Sequence, residues 1–422
     1  MATGKKRVDS SRRLQSGSLF SAICAGVAVA LFVSCALAQT PASVSPAVAA
    51  LEKAVAADPT EAVLTYLLSV MRARAGDAPG TLQALEQTLG NGDGFLPPDD
   101  LFENVEADRR FKVLRTRFAG KLPRVVTGRV VATLNDDRFL IPEGIAYDAA
   151  EDTLYVSSIA RKAIYRLNGQ GKLEPLSLPS DELDFVLGIV VDPRARKLYA
   201  VSTSALTDAG RTLSRNAIVA YDLQTRRRER TYPVPEAIQL NDVAIGENFV
   251  LATDSAGGGV WRIGLSDGKV DALVPLGRAP GANGIAITGD GRAYIGASRR
   301  PLRLNIATGE VAPLRFPPRE QAAGIDGLYW YEGRLVGVQN LTNPGRIVRL
   351  TLGADGTTVT RVETLQSHHQ PAFVEPTTAA PSARGLFVLT RTYVARFDAD
   401  GKIAKPESIR AAQVLRIPWP IR

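Results

Sequence analysis

The sequence predicts a mainly β protein: a six-bladed β-propeller over residues 126–422, preceded by a small α-helical segment. Three observations carry the prediction. A unit of a polar residue and Gly followed by an apolar strand, a turn and further strands recurs six times. Its openers stand 42 to 54 residues apart, the length of a four-stranded blade. A strand-like run at 130–134 precedes the first opener, so it is free to complete the last blade and close the ring.

The units are legible one by one. Glu143-Gly144-Ile145 leads to Leu154-Tyr155-Val156 and Ile164-Tyr165-Arg166, and Leu187-Gly188-Ile189 to Leu198-Tyr199-Ala200 and Ile218-Val219-Ala220. Asn241-Asp242-Val243, Asn283-Gly284-Ile285 and Asp326-Gly327-Leu328 open three more. The sixth is looser, with Glu375-Pro376-Thr377, Leu386-Phe387-Val388 and a third strand expected at Val394-Ala395-Arg396-Phe397. Radial repetition of short sheets protects their edges, which favours a propeller over a sandwich.

Residues 39–125 read differently. Leu51, Ala54, Val55, Leu64, Leu67, Leu68 and Met71 recur at helical spacing, with Pro59 between two helices, and Phe102, Phe111, Leu114 and Phe118 mark a further helical patch before Pro123. The stretch Ala50-Leu51-Glu52-Lys53-Ala54-Val55-Ala56-Ala57-Asp58-Pro59 resembles the second helix and closing Pro of a tetratricopeptide repeat. At most two such repeats fit, so the segment is expected to pack on the propeller or on a protein partner. A plain helical hairpin satisfies the same pattern.

Residues 1–38 combine a basic start, an apolar run from Leu19 and the small-x-small pattern Ala36-Leu37-Ala38. They read as a signal peptide cleaved near Ala38, giving an exported, periplasmic or secreted protein. The same run is long enough for an uncleaved membrane anchor, the one route by which a membrane would be involved. The leader contributes four of the eight net positive charges, and the densest basic run elsewhere, Arg226 to Arg230, reads as a solvated turn, so no nucleic-acid partner is expected. Both cysteines, Cys24 and Cys35, lie in the leader, which excludes disulfides, thiol chemistry and cysteine-held zinc from the folded part. No Gly-x-Ser-x-Gly elbow or phosphate-binding loop is present.

The first strand of each blade lines the axis, so the openers should meet at one mouth: Glu143, Leu187, Asn241, Asn283, Asp326 and Glu375. Crowded carboxylates repel unless a cation lies between them, and carboxylate and amide oxygens suit a hard divalent ion. Calcium is the first expectation, with zinc, manganese and magnesium as alternatives. These openers resemble those of the family of senescence marker protein, gluconolactonase and luciferin-regenerating enzyme, related to paraoxonase-like lactonases and arylesterases, over about residues 130–397. The resemblance implies a metal-dependent hydrolase of a small lactone or ester. It implies Glu143, Asn283 and Asp326 as metal ligands, Asn241 near substrate and metal, and Asp326 also as general base. Glu375, His368 and His369 are possible additions, the histidines because imidazole titrates near neutrality. Gln239 stands where sugar-lactone members tend to carry Arg, which sets the chain apart from aldonolactone recognition. Asp242 reads as structural, its carboxylate serving the following turn. The rival reading is a non-catalytic exported propeller with a structural metal that binds a protein or glycan.

Overall fold

The computed structural model describes residues 41–168, 171–204, 215–340, 344–398 and 401–420; the leader, with Cys24 and Cys35, lies outside the described residues. Six four-stranded antiparallel sheets surround a common axis. Their inner strands are Pro142–Asp148, Phe185–Asp192, Leu240–Ile245, Ile285–Ile287, Ile325–Tyr331 and Ala379–Ser382. The ring closes as the sequence suggested. Strand Arg129–Thr133 pairs with Gln413–Ile417 and becomes the outer strand of blade six, so the two ends of the propeller share one sheet. Upstream of it, Val125 and Ser367 exchange backbone and hydroxyl hydrogen bonds, and the Gln366 side chain accepts from Thr127 and Gly128, which ties the closure to blade five.

Burial alternates between the gaps separating blades. The second strands are almost wholly buried, as in Thr153–Ser158 and Gly385–Thr390, because each is sandwiched between neighbouring sheets. Outer strands are exposed. Arg226 to Arg230, expected as a turn, instead enters the outer strand Arg227–Pro233 of blade two, where an edge strand of charged residues is soluble and resists edge-to-edge pairing. The sixth blade also departs from expectation. Val394–Arg396 is a 3-10 turn, and the third strand is instead Gln413–Ile417.

The helical segment comprises α1 (Pro41–Ala57), α2 (Ala62–Arg74), α3 (Ala78–Asn91) and α4 (Arg109–Ala119). Asp77 and Asp108 cap α3 and α4 through their carboxylates, which accept from Gly80 and Arg110 N–H. Its core of Leu64, Leu67, Leu68, Met71, Leu85, Phe95, Phe102, Phe111 and Phe118 takes in Ala323 from the loop before blade five's inner strand. Charged contacts frame this joint. Arg300 pairs with the buried Glu61 at 2.6 Å, and Arg319 pairs with Asp93 at 2.8 Å while donating to the Leu89 carbonyl. The segment therefore sits on the face of the propeller where the inner strands begin. No helix among the described residues is long and apolar enough to cross a membrane.

Candidate functional site

The site is built by a repeated irregularity. In blade one Pro142 faces Ser158 and Ile145 faces Val156, so the pair Glu143-Gly144 forms a bulge in the ladder. The same break isolates Leu187-Gly188 in blade two, Asn241-Asp242 in blade three and Asp326-Gly327 in blade five. A bulge turns side chains out of the pleat, and here it does so at one height around the axis. Blade four reaches the equivalent point with Asn283-Gly284, whose backbone bonds to Gly296 ahead of the first ladder pair, Ile285 with Ile295. In blade six the pair Ala379 with Val388 places Thr377-Thr378, not Glu375, at the equivalent position. The ring is thus Glu143, Leu187, Asn241, Asn283, Asp326 and Thr377. Glu375, expected in it, stands two residues upstream with positive φ and lies 3.7 Å from the Arg396 guanidinium.

Bonds between consecutive blades hold this ring together. Gly284 N–H donates to the Asp326 carbonyl at 2.6 Å and Gly327 N–H to the Thr377 carbonyl at 3.2 Å. The Thr377 and Thr378 hydroxyls donate to the Glu143 carbonyl at 2.9 and 2.5 Å, and Ser157 donates to the Leu187 carbonyl at 2.6 Å. Asp242 closes a further gap, accepting from Val243 N–H at 2.8 Å and from Ile285 N–H of the next blade at 3.2 Å. That is a structural role for its carboxylate. Backbones come so close here that a Cβ on Gly144 would stand 2.5 Å from the Leu187 carbonyl oxygen, which explains the glycine after the ring residue.

The two carboxyl groups of the ring are buried and face no cationic partner. Glu143, Asn283 and Asp326 are each less than one-tenth exposed. Among the described residues no Lys, Arg or His pairs with Glu143, Asp242 or Asp326. Burial, and then the charges of Asp326 and Asp242, push the Glu143 carboxyl well above its usual range. Burial also pushes Asp326 up to about 7, against hydrogen bonds from Asn340 and Asn283 that hold it down. Asp242 is pushed up to about 7 by burial, with the Val243 and Ile285 N–H groups opposing. Tyr329 belongs to the same charge cluster. Its hydroxyl accepts from Ala379 N–H at 2.6 Å, and burial and the three carboxylates drive its pKa well up.

Three oxygens at this mouth, Glu143 Oε2, Asn241 Oδ1 and Asn340 Oδ1, are buried and accept no hydrogen bond, and Glu375 Oε2 just upstream is a fourth. Orphaned buried acceptors beside a second carboxylate are a donor set that a hard cation would satisfy. Among the described residues no three His, Cys, Asp or Glu side chains converge closely enough to hold a metal ion, so the oxygen set is two carboxylates with amides. Sequence reasoning missed two contributors. Asn340 donates to Asp326 Oδ2 at 2.5 Å and to the Pro376 carbonyl at 2.6 Å, from the loop after blade five's second strand, a position with no repeat to flag it. Thr377 was hidden by the acidic Glu375 nearby. The histidines lie apart: the His368 and His369 rings meet at a 38° tilt with centroids 4.0 Å apart, and His369 Nδ1 contacts the Ser367 hydroxyl at the blade-five edge. Below the ring the axis opens into a cavity of about 310 Å³, lined by Ile145, Ile189, Val243, Ile285, Leu328 and Trp330 among others.

No family model matches the chain, and no curated protein does. Solved structures similar in fold include a PQQ-bound aldose sugar dehydrogenase from Streptomyces coelicolor, 20% identical over 70% of this chain and 99% of that one with a TM-score of 0.45. A gluconolactonase from Xanthomonas campestris is 16% identical over 70% and 98%, with a TM-score of 0.45. A streptogramin B lyase is 14% identical over 70% and 100%, with a TM-score of 0.44.

Proposed function

We propose that the chain is a divalent-metal-dependent hydrolase of a small lactone or ester, with the ion held at the propeller axis by Glu143, Asn283 and Asp326 and assisted by Asn241. The observation that carries this reading is the set of orphaned buried oxygens, Glu143 Oε2, Asn241 Oδ1 and Asn340 Oδ1, beside the Asp326 carboxylate, which faces no cation. The hardness of these donors favours calcium. When bound, the ion would polarise the substrate carbonyl and offset the negative charge that forms on its oxygen.

The protein's own groups supply the rest. Asp326 would take a proton from the attacking water, and Asn340 fixes the orientation of its carboxylate. Water adds to the carbonyl carbon, the ring or ester C–O bond breaks, and the departing oxygen takes up the proton, so a lactone leaves as its hydroxy acid. The bulged backbone and the bonds between blades keep the groups in place before substrate arrives. Asp242 holds blades three and four in register, and Glu375 stands upstream of the ring with one oxygen 3.7 Å from the Arg396 guanidinium. The leader would deliver this activity to the periplasm or exterior, and the helical segment leaves room for a protein partner.

The test is metal analysis of the purified protein, followed by assay of aliphatic lactones, aldonolactones and aryl esters with Ca²⁺, Zn²⁺, Mn²⁺ or Mg²⁺ on the native chain and Asp326→Ala. Metal-dependent turnover lost in Asp326→Ala supports the reading. Bound metal without turnover of any substrate leaves a propeller pinned by a structural ion.

A further inference from the structure

Three blades reach the polar layer through the same ladder position on their second strand. The last pair before the bulge is Pro142 with Ser158 in blade one, Leu240 with Asp254 in blade three and Ile325 with Gln339 in blade five. The residues that follow the second strand there are Ile159, Ser255 and Asn340, and their N–H groups donate to the Ile141, Gln239 and Gly324 carbonyls. The position recurs, but the residue type does not.

Its structural duty is visible in blade three. Ser255 Oγ donates at 2.6 Å to the carbonyl of Ala282, the residue before ring Asn283 of the next blade. Asn340 does the same in blade five, its Nδ2 donating at 2.6 Å to the carbonyl of Pro376, the residue before Thr377. A serine therefore suffices to join neighbouring blades at this point, and Asn340 does more. Its Nδ2 also donates to Asp326 Oδ2 at 2.5 Å, while its Oδ1 is buried and accepts nothing. The Pro376 carbonyl can only accept, so the amide nitrogen must face it and the oxygen must point elsewhere.

The chain holds Asn340 firmly in this place. Gln339, buried, donates through Nε2 to the Ala323 carbonyl at 2.7 Å and to Gln321 Oε1 at 2.8 Å, and accepts from Arg346 Nε at 2.6 Å. Ala323 belongs in turn to the core of the helical segment. The amide oxygen is thus fixed before anything binds. Two further acceptors of the mouth, Glu143 Oε2 and Asn241 Oδ1, also lack donors, and Glu143 is only 4% exposed. A substrate hydroxyl brings one proton and serves one of these oxygens. A cation serves them together, and calcium takes six to eight oxygens.

We infer that Asn340 is a further protein ligand of the axial ion, through Oδ1, beside Glu143, Asn241, Asn283 and Asp326. This rests on the ion site proposed above and adds a donor to it.

The experiment measures calcium binding by calorimetry on the full chain, native, Asn340→Ser and Asn340→Asp. It also counts the waters on bound europium, a luminescent stand-in for calcium, from its emission lifetimes in H₂O and D₂O. Asn340→Ser keeps a hydroxyl for the Pro376 carbonyl, as at Ser255, and loses the amide oxygen. It should raise the calcium Kd by at least about tenfold and admit about one more water to the ion. Asn340→Asp keeps an oxygen where Oδ1 stands, so it should hold the native water count and bind calcium more tightly than Asn340→Ser. Weaker calcium binding in Asn340→Ser with the native water count would mean that Asn340 acts only by orienting Asp326, and overturns the assignment. A native Kd in that variant overturns it too, while the ion site stands. Should Asn340→Ser not fold, an extra water on europium in Asn340→Asp is the overturning result. A native chain that binds neither calcium nor europium overturns the ion site itself and this ligand with it.

Discussion

The inner strands present two opposite surfaces to the same axis. At their start stand Glu143, Asn241, Asn283 and Asp326, with buried oxygens of Glu143 and Asn241 that lack partners; a few residues further on the same strands show Ile145, Val243, Ile285 and Leu328 to a mostly apolar cavity. Neither surface follows from strand alternation alone, because the bulge at the openers of blades one, two, three and five resets which way the chain faces. Charge is thereby confined to one thin layer. Spread along the channel, the same carboxylates would each need desolvation and a separate partner; gathered in one layer, they can share one ion.

The largest effect is expected from breaking the backbone contact that both ends depend on. A Cβ on Gly284 would stand 2.7 Å from the Gly327 carbonyl carbon, and backbone cannot yield there without parting two blades. Gly284→Ala should destabilise by about 3 kcal/mol or more in a denaturant titration, and damage the polar layer and the apolar channel alike. A near-neutral result would mean the inner strands are less tightly joined than the geometry shows.

Next in size is a change confined to the polar layer. Asp326→Ala should lower kcat by at least about 100-fold on whatever lactone or ester the native chain hydrolyses, with secondary structure and the propeller retained. Loss of tenfold or less would move the proton-accepting role elsewhere, Tyr329 and Glu143 being the groups at hand.

How the layer behaves with pH sharpens the contrast further. A carboxyl whose folded-state pKa is raised holds its proton more tightly folded than unfolded, so its contribution is complete below about 4 and disappears as pH rises through about 7. In chelator, the protein should lose stability between pH 5 and 8, by a Tm fall of about 3 °C or more. Calcium should abolish that fall by compensating the ionised carboxylates, and Glu143→Gln should weaken the calcium effect. Identical Tm profiles with and without calcium would rule out calcium as the ion at the axis.

These contrasts also show what a sequence can reveal. The blades were legible because each repeats the same local demands: a small residue where inner strands crowd, as at Gly144 and Gly284, and apolar second strands such as Leu154-Tyr155-Val156. Closure by Arg129–Thr133 was legible because a strand preceded the first opener with no partner of its own. Glu143, Leu187, Asn241, Asn283 and Asp326 were found at equivalent heights for the same reason. The failures are all places where one blade departs from the others. Glu375 was assigned to the ring because it is acidic, whereas the ladder register gives that place to Thr377. Val394 to Phe397 has strand-like composition but is turned into a 3-10 element that packs on blades one and two. Asn340 is reached only by a loop that brings it beside Asp326 from a distance no periodicity encodes.

In the apolar region, the expected effect is on stability and not on turnover. Ile245→Ala removes methylenes from the lower channel wall, where the side chain is half-buried, and should destabilise by about 1 kcal/mol. Its kcat/KM should stay within about twofold of native, because no polar atom of the ring contacts it. A tenfold loss would show that the lower channel communicates with the polar layer.

The smallest effect is expected at the histidines, and it bears on how the polar layer is bounded. His368 and His369 lie close in sequence to Glu375, yet their tilted rings pack on each other, and His369 Nδ1 engages Ser367, whose hydroxyl also donates to the Val125 carbonyl at 2.9 Å. That places them in the fastening between the outer strand of blade five and the chain that closes the ring. Burial and the neighbouring imidazole hold the His368 pKa below its usual value, so it is uncharged at neutral pH. His369→Ala should therefore leave turnover within about twofold and its pH profile unmoved, and lower Tm by no more than about 3 °C through the lost hydroxyl contact. A loss of the basic-limb pKa from the pH–rate profile in this variant would instead extend the catalytic layer from the axis to the blade-five edge.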